Sequence, residues 1–218
     1  LKTAKEEGLT TVLVLNDPFE GLELEAMQRY EYIDFAVRLN ERELTIGKLA
    51  EALSMNKKIN FPGIIFRHNG QIIDNGVAPS AKTLHHLVSS HKILEELSLE
   101  KYKDFRVLTG KGCNFNCTFC TYARTMRRAR AVKDISKEVS VISTVEPSYV
   151  YLLDLDMLND AKFCRDLSKD LMPLNVKWIT DARIEQINKD LIKTMMRGGL
   201  VELIIGLESA SQKILNKI

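Results

Sequence analysis

From Phe105 onward the sequence keeps one rhythm, and that rhythm restricts the fold more than any other feature. Short β-branched and aromatic runs alternate with stretches whose apolar residues recur at helical spacing. FRVLT, starting at Phe105, reads as the first strand. Ile135, Val139 and Ile142 mark a helix, with Asp134 as its expected cap. YVYLLDLD (149–156) is the second strand, followed by a helix striped by Phe163, Leu167 and Leu171 that ends before Pro173. VKWITDARI is the third strand. Leu191, Ile192, Met195 and Met196 then face one way on a helix closed by Gly198-Gly199, and VELIIGLES is the fourth strand. Strand–helix units in succession imply parallel strands joined by right-handed crossovers. Barrels built in this way gather their chemistry at the C-terminal ends of the strands.

The first 55 residues also read as α/β. LKTAKEEG opens in a helix, TTVLVLN (10–16) and EYIDFAV (31–37) are strand candidates, and from Glu41 the positions Ile46, Leu49, Ala50 and Leu53 predict an amphipathic helix. Residues 56–104 read as a connector. GIIFRHNGQIID places two apolar runs around Asn69-Gly70, a strong hairpin signal because both turn positions need positive φ. A helix is expected from about 80 to 103, with Leu84, Leu87, Val88 and Leu94 on one side. The expected organisation is therefore 1–55, 56–104 and 105–218. The opening on Leu1 and the stop at QKILNKI suggest a piece of a longer protein.

No apolar run approaches the roughly 20 residues of a membrane span. The net charge of +2 is far from the basic excess of a typical nucleic-acid binder. Arg124, Arg127, Arg128, Arg130 and Lys133 form a basic run, expected as a solvated loop rather than an RNA site. His85 and His86 point about 100° apart on a helix, a poor chelate, and His68 beside the hairpin turn is expected in solvent.

Three of the four cysteines fall within eight residues, Lys111-Gly112-Cys113-Asn114-Phe115-Asn116-Cys117-Thr118-Phe119-Cys120, directly after the first strand of the repeat. Neighbours this close rarely fit disulfide geometry, so the cluster points to a metal in a reducing, cytoplasmic setting. A C-x3-C-x2-C loop can place thiolates on three corners of an iron–sulfur cubane, with Gly112, Asn114 and Asn116 tolerating the positive φ that such wrapping needs. Clusters are normally held by four cysteines, and with three one iron keeps an open position. A structural zinc completed by Cys164 or a histidine is the competing reading, although zinc sites favour paired C-x2-4-C arms. Cys164, beside Phe163 on a helix, reads as a core residue.

This motif after a first barrel strand, with an aromatic residue before its last cysteine, resembles the radical S-adenosylmethionine (SAM) superfamily. LDLDMLND, WITDARIEQINKDLIKTMMRGG and VELIIGLESASQKIL resemble the class whose barrel follows a cobalamin-binding domain. Residues 1–76, down to IIFRHNGQIIDNG, look like the end of that domain and its hairpin linker. The resemblance implies the C-terminal part of a Rossmann-like domain followed by the first four βα units of a partial TIM-type (β/α)6 barrel.

It also implies a mechanism. Cys113, Cys117 and Cys120 would hold a [4Fe-4S] cluster, and SAM would chelate its open iron. An electron, from a reductant such as flavodoxin or ferredoxin, would cleave SAM to methionine and a 5′-deoxyadenosyl radical that attacks a small-molecule substrate. The outcome would be cobalamin-associated methyl transfer or a radical rearrangement or cyclisation. Alternatives are a radical SAM enzyme without cobalamin and a non-catalytic zinc or iron–sulfur module. The tRNA methylthiotransferases fit less well, because residues 1–112 contain no cysteine.

Carried over by position, Phe119 would lie against the adenine and Asp156 near the methionyl amine. Glu208 and Ser209 would sit near the ribose and carboxylate, and Arg183 would meet a carboxylate. The chain departs from the family pattern at Lys111, where arginine is usual, and at Asn16-Asp17 and Asn40, where glycines are usual. Cobalamin is thus implied by architecture rather than by contact residues. A four-unit piece would lack the strands that close the site, and is expected to be inactive in isolation.

Overall fold

The computed structural model describes residues 1–15, 21–38, 41–84, 87, 89–123 and 125–218. Asn16-Asp17, Asn40, His85, His86, Val88 and Arg124 lie outside the described residues. The chain divides into two compact units, Leu1–Lys82 and Thr83–Ile218. Among the described residues no helix is long and apolar enough to cross a membrane.

The first unit runs α1 (Lys2–Glu6), β1 (Val12–Val14), α2 (Leu22–Arg29), β2 (Phe35–Val37), α3 (Arg42–Ser54), β3 (Ile64–His68) and β4 (Gln71–Asp74). Its sheet has the order β1-β2-β3-β4, with β1 and β2 parallel and the remaining pairs antiparallel. Successive residues of a strand face opposite sides, and both sides are apolar here. Ala36 and Ile65 join Met27 and Ile33 in one cluster, whereas Val37 and Ile64 join Leu49 in another. The hairpin forms at Asn69-Gly70 as expected, with φ of 50° and 78°, and β3 lies against β2, so it extends this sheet.

Two sequence expectations shift. The helix α2 was not foreseen and turns β1–β2 into a parallel crossover pair. On α3 the buried residues are Thr45, Leu49 and Ala52, while Ile46, Ala50 and Leu53 are exposed. Gly63 presses on Thr45, since a Cβ built on it would meet Thr45 Oγ1 at 2.6 Å. Leu49 on the same face packs with Val37 and Ile64.

The second unit runs α4 (His91–Glu95), β5 (Phe105–Leu108), β6 (Gly110–Lys111), β7 (Arg128–Ala129), α5 (Val132–Ser143), β8 (Val150–Leu153), α6 (Ala161–Leu171), β9 (Trp178–Ala182), α7 (Lys189–Arg197), β10 (Leu200–Ile205) and α8 (Gln212–Leu215). Four strands form a wholly parallel sheet in the order β10-β9-β8-β5, which is the order the βα rhythm predicts. One face carries Phe105, Val107, Val150, Leu152, Trp178 and Leu200, packed on Ile135, Val139, Leu167, Leu171, Leu191 and Met195 of the helices. The other face carries Arg106, Tyr151 and Asp181, where the Tyr151 hydroxyl donates to Asp181 Oδ2 at 2.7 Å. Burial and the Asp181 carboxylate push the Tyr151 phenol up to about 12.

Among the described residues of 80–103, where one long helix is expected, the helical elements are α4 and a 3-10 turn at Leu99–Lys101. Ser90 spends its N–H and hydroxyl on Glu138 Oε1, at 2.7 and 3.0 Å, in place of continuing a helix. The first turn of α5 begins at Val132, with Ala131 as its cap, so Asp134 lies inside that turn and pairs with Lys137 at 3.6 Å.

Glu138 also receives Arg130 Nη2 at 2.7 Å and Nη1 at 3.2 Å. Burial works to raise its pKa, but Arg130 and Ser90 outweigh burial and hold the carboxyl below its ordinary value. Such a group contributes stability above the unfolded carboxyl value of about 4.3, and loses it as the pH falls through the folded value. The destabilisation caused by Glu138→Gln is therefore expected to be largest near neutrality and to shrink below about pH 4. Urea unfolding of both proteins at neutral and acid pH checks this, and a gap that widens in acid would contradict it.

Candidate active site

The cysteine loop leaves β5 through Thr109 and is closed at its base by the ribbon β6–β7, which pairs Gly110 with Ala129 and Lys111 with Arg128. Gly112 begins the loop at φ +83°, where a Cβ would strike the Met126 carbonyl oxygen at 2.3 Å. No other residue type fits there. Asn114 and Asn116 do not take the expected positive φ; among the described loop residues Gly112 and Met126 do. Asn114 acts through its side chain instead, accepting from the Arg127 N–H at 3.0 Å.

Inside the loop, the Cys113 N–H donates to Thr125 Oγ1 at 3.1 Å and the Cys120 N–H to the Cys117 carbonyl at 3.1 Å. All three thiols are half-buried. Burial, and then the nearby Asp156, Cys120 and Cys117, push the Cys113 thiol above its ordinary value, against a backbone hydrogen bond from Phe115. Among the described residues, no three His, Cys, Asp or Glu side chains converge as ligands of a single metal ion. A cubane asks for something different, since each of its thiolates binds a separate iron.

The ends of the next two strands brace this loop. Asp154, just past β8, takes the Arg127 fork at 2.9 and 2.7 Å, with the two side chains 0% and 4% exposed. Burial pulls the Arg127 pKa down, but Asp154 and Asp160 more than offset it and hold the guanidinium above its ordinary value. Arg127 also lies 4.8 Å from the centroid of the Phe163 ring. With Arg130 on Glu138, two members of the basic run are turned inward as buried ion pairs, a correction to the expected solvated loop. An arginine next to a cluster loop reads as surface from sequence, because its partner is an aspartate 27 residues away.

Asp156 is buried and fully engaged. Its carboxylate accepts from the Asn114 N–H at 3.1 Å, Asn159 Nδ2 at 3.3 Å and Gln186 Nε2 at 2.5 Å. It thus ties the cysteine loop to the segments after β8 and β9. Sequence reasoning missed Asp154, Gln186 and Thr125 as parts of the site. The acidic pair in LDLD was the one available signal for the first of them.

Arg183, one residue past β9, reaches back to the cysteines. Its Nη1 lies 2.9 Å from Cys117 Sγ, its guanidinium carbon is 4.1 Å from the Phe115 ring centroid, and Nη2 meets Glu185 at 3.1 Å. Phe119 stands 56% exposed between the second and third cysteines. Glu208 is exposed at φ +58°, and Ser209 Oγ accepts from the Ser211 N–H at 3.0 Å. The end of the chain lies beside the loop, because the Thr118 N–H donates to the Ile218 carbonyl at 3.2 Å. Cys164 is apart from all this. It sits in the core of α6 with its thiol on the Met157 carbonyl at 3.3 Å, and burial pushes it up to about 12. His68 is exposed at the hairpin.

No protein-family model matches the chain. An uncharacterised methyltransferase of Pyrococcus horikoshii is 27% identical over an alignment of 236 positions that takes in 100% of this chain and 50% of the relative. An anaerobic magnesium-protoporphyrin IX monomethyl ester cyclase of Cereibacter sphaeroides is 23% identical over 206 positions, 86% of this chain and 33% of the relative. Among solved structures, the radical SAM methyltransferase TsrM of Kitasatospora setae superposes with a TM-score of 0.68 at 12% identity, over 88% of this chain and 41% of that one. TsrM has been solved with cobalamin and a [4Fe-4S] cluster bound. At that identity the likeness is one of fold. The chain spans half or less of the length of these proteins. The chain thus carries a C-x3-C-x2-C loop at the end of a parallel strand, resembles proteins named methyltransferase and cyclase in sequence, and resembles a radical SAM methyltransferase in fold.

Proposed function

We infer that the second unit holds a [4Fe-4S] cluster on Cys113, Cys117 and Cys120 and presents its open iron to SAM. The observation that carries this reading is the loop itself. Three half-buried thiols follow the first parallel strand, pinned from the ends of the next two strands by Asp154, Asp156 and Arg183. The residues present suit the group: thiol donors, a cation on Cys117, and an Arg183 Nε that is buried with no hydrogen-bond partner among the described residues.

When bound, the cluster supplies the electron that cleaves SAM to methionine and a 5′-deoxyadenosyl radical. The chain's own part is to hold and shield. The exposed ring of Phe119 is available to the adenine, and Glu208 and Ser209 are available to the ribose and carboxylate. Asp156 already has three donors, so in our reading it supports the loop and leaves the methionyl amine to other groups. Helices cover one face of the parallel sheet, while the other presents Arg106, Tyr151 and Asp181. This supports an arc of a barrel whose inner face is polar, with residues 105–218 as its first four βα units.

Residues 1–55, together with the hairpin strands β3 and β4 that extend their sheet, fit the latter part of a cobalamin-binding domain, and residues 83–104 its connection to the barrel. The activity that best unites these parts is cobalamin-associated methyl transfer or radical cyclisation of a small molecule, with a flavodoxin- or ferredoxin-type reductant. The 218-residue chain by itself would leave β10 as an open edge and Leu207 74% exposed, so we expect it to bind iron without coupled turnover.

The test is anaerobic reduction of the full-length protein with SAM. It is expected to release 5′-deoxyadenosine, and Ser209→Ala is expected to raise the SAM concentration needed by about tenfold, one lost hydrogen bond to a charged group, with iron content unchanged. Iron loss in parallel with SAM affinity would make Ser209 structural. A loaded cluster that leaves SAM intact would end the proposal.

A further inference from the structure

We propose that Arg183 sets the reduction potential of the cluster by acting through the Cys117 sulfur, an inference that rests on the cluster reading above. Three features of the side chain point there. Nη1 lies 2.9 Å from Cys117 Sγ, a charge-assisted hydrogen bond to a ligand atom. The guanidinium is held in place by the Phe115 ring on one side and by Glu185, paired at 3.1 Å, on another. Its third donor, Nε, is buried and has no hydrogen-bond partner among the described residues. A buried donor left unpaired costs about 1–3 kcal/mol. A sulfur cluster seated on Cys117 would supply the acceptor it lacks.

The consequence for the cluster is electrostatic. Reduction by one electron adds a negative charge, part of which falls on the cysteine sulfurs. A fixed cation donating to one of those sulfurs stabilises the reduced state more than the oxidised one, and so raises the potential. Arginine suits the task because it stays protonated at any working pH. Its backbone follows β9 directly, while its guanidinium packs on the loop's own Phe115, so the charge is held against the loop from a neighbouring strand. Arg183 is thus a positioning and tuning residue. By resemblance Arg183 would meet a carboxylate; in this structure its Nη1 lies on Cys117 and its Nη2 on Glu185.

The experiment uses the full-length protein, reconstituted anaerobically and titrated without SAM by electron paramagnetic resonance against mediator dyes. Arg183→Gln keeps hydrogen-bond donors and removes the charge. It is expected to load iron and sulfide like the wild type while lowering the reduction equilibrium constant at least tenfold, a downward shift of about 59 mV. Arg183→Lys keeps the charge but loses the fork and the stacking, and is expected to fall between the two. An unchanged potential in loaded Arg183→Gln would overturn the proposal. So would a shift seen only after SAM is added, which would assign Arg183 to the SAM carboxylate. If neither variant takes up iron while circular dichroism stays native, Arg183 is a brace of the loop and the proposal again fails. Wild-type protein that takes up zinc without sulfide would instead refute the cluster reading beneath it.

Discussion

Replacing Cys117 with alanine is expected to remove the iron–sulfur cluster altogether. Anaerobic reconstitution of the full-length protein should yield roughly four irons and four sulfides per chain, and the Cys117→Ala protein close to none. The loop offers three thiols, and Cys164 cannot replace the lost one. It lies 1% exposed in the core of the second unit, bonded to the Met157 carbonyl. Cys117 is also the sulfur that Arg183 touches, so its loss leaves the Arg183 guanidinium facing the loop without its sulfur acceptor. Cys164→Ala provides the contrast: iron and sulfide unchanged, with a stability loss of about 1–2 kcal/mol from the small cavity. Metal and acid-labile sulfide analysis with visible absorbance reads both variants. Stoichiometric zinc without sulfide in the wild type, or an intact cluster in Cys117→Ala, would sink the idea.

The second large effect is expected at Arg127. Its fork meets Asp154, which also accepts from the Thr109 hydroxyl and the Asp156 N–H, and both ionised side chains are almost wholly shielded from water. Taking away one member of such a pair leaves a buried charge without its counter-ion, which costs about 3–5 kcal/mol. Whole domains are stable by only about 5–15 kcal/mol. Arg127→Met should therefore lower the denaturation midpoint sharply, and it should loosen the cysteine loop, since the Arg127 backbone also ties Asn114. Replacing both partners by apolar residues, Arg127→Met with Asp154→Leu, should recover most of the loss, because no charge is then left unpaired. Urea unfolding of the two single variants and the double variant measures the coupling. A loss below about 1 kcal/mol for Arg127→Met would class the pair with exposed ion pairs and remove its role in the loop.

Much of the second unit was legible because its signals are local. β-Branched runs, helical stripes and the Gly198-Gly199 stop are set by neighbours within a few residues, and the parallel order of β5, β8, β9 and β10 follows from the crossovers. The three cysteines were legible for the same reason, since one loop supplies all of them. The hairpin was fixed by the positive φ that Asn69 and Gly70 accept.

What the sequence left undecided is whatever depends on partners far along the chain. Helix α3 has two nearly equivalent apolar stripes, Thr45-Leu49-Ala52 and Ile46-Ala50-Leu53, and periodicity cannot rank them. In the structure it is Leu49 that packs with Val37 and Ile64, and the Thr45-Leu49-Ala52 side is buried. Residues 80–103 carry helical spacing, yet Ser90 binds Glu138, 48 residues away, and among the described residues only the short α4 and a 3-10 turn form. The basic run looks solvated until folding brings Asp154 and Glu138 to Arg127 and Arg130. Nothing in the sequence indicated that Arg183 and Asp156 also bond the cysteine loop, which the tertiary structure shows through Cys117 and the Asn114 N–H. An ionised side chain leaves water only for a partner that meets its charge and hydrogen bonds. Its role is therefore set by what the fold places within about 3 Å, the reach of a hydrogen bond, and not by the residues beside it in the chain.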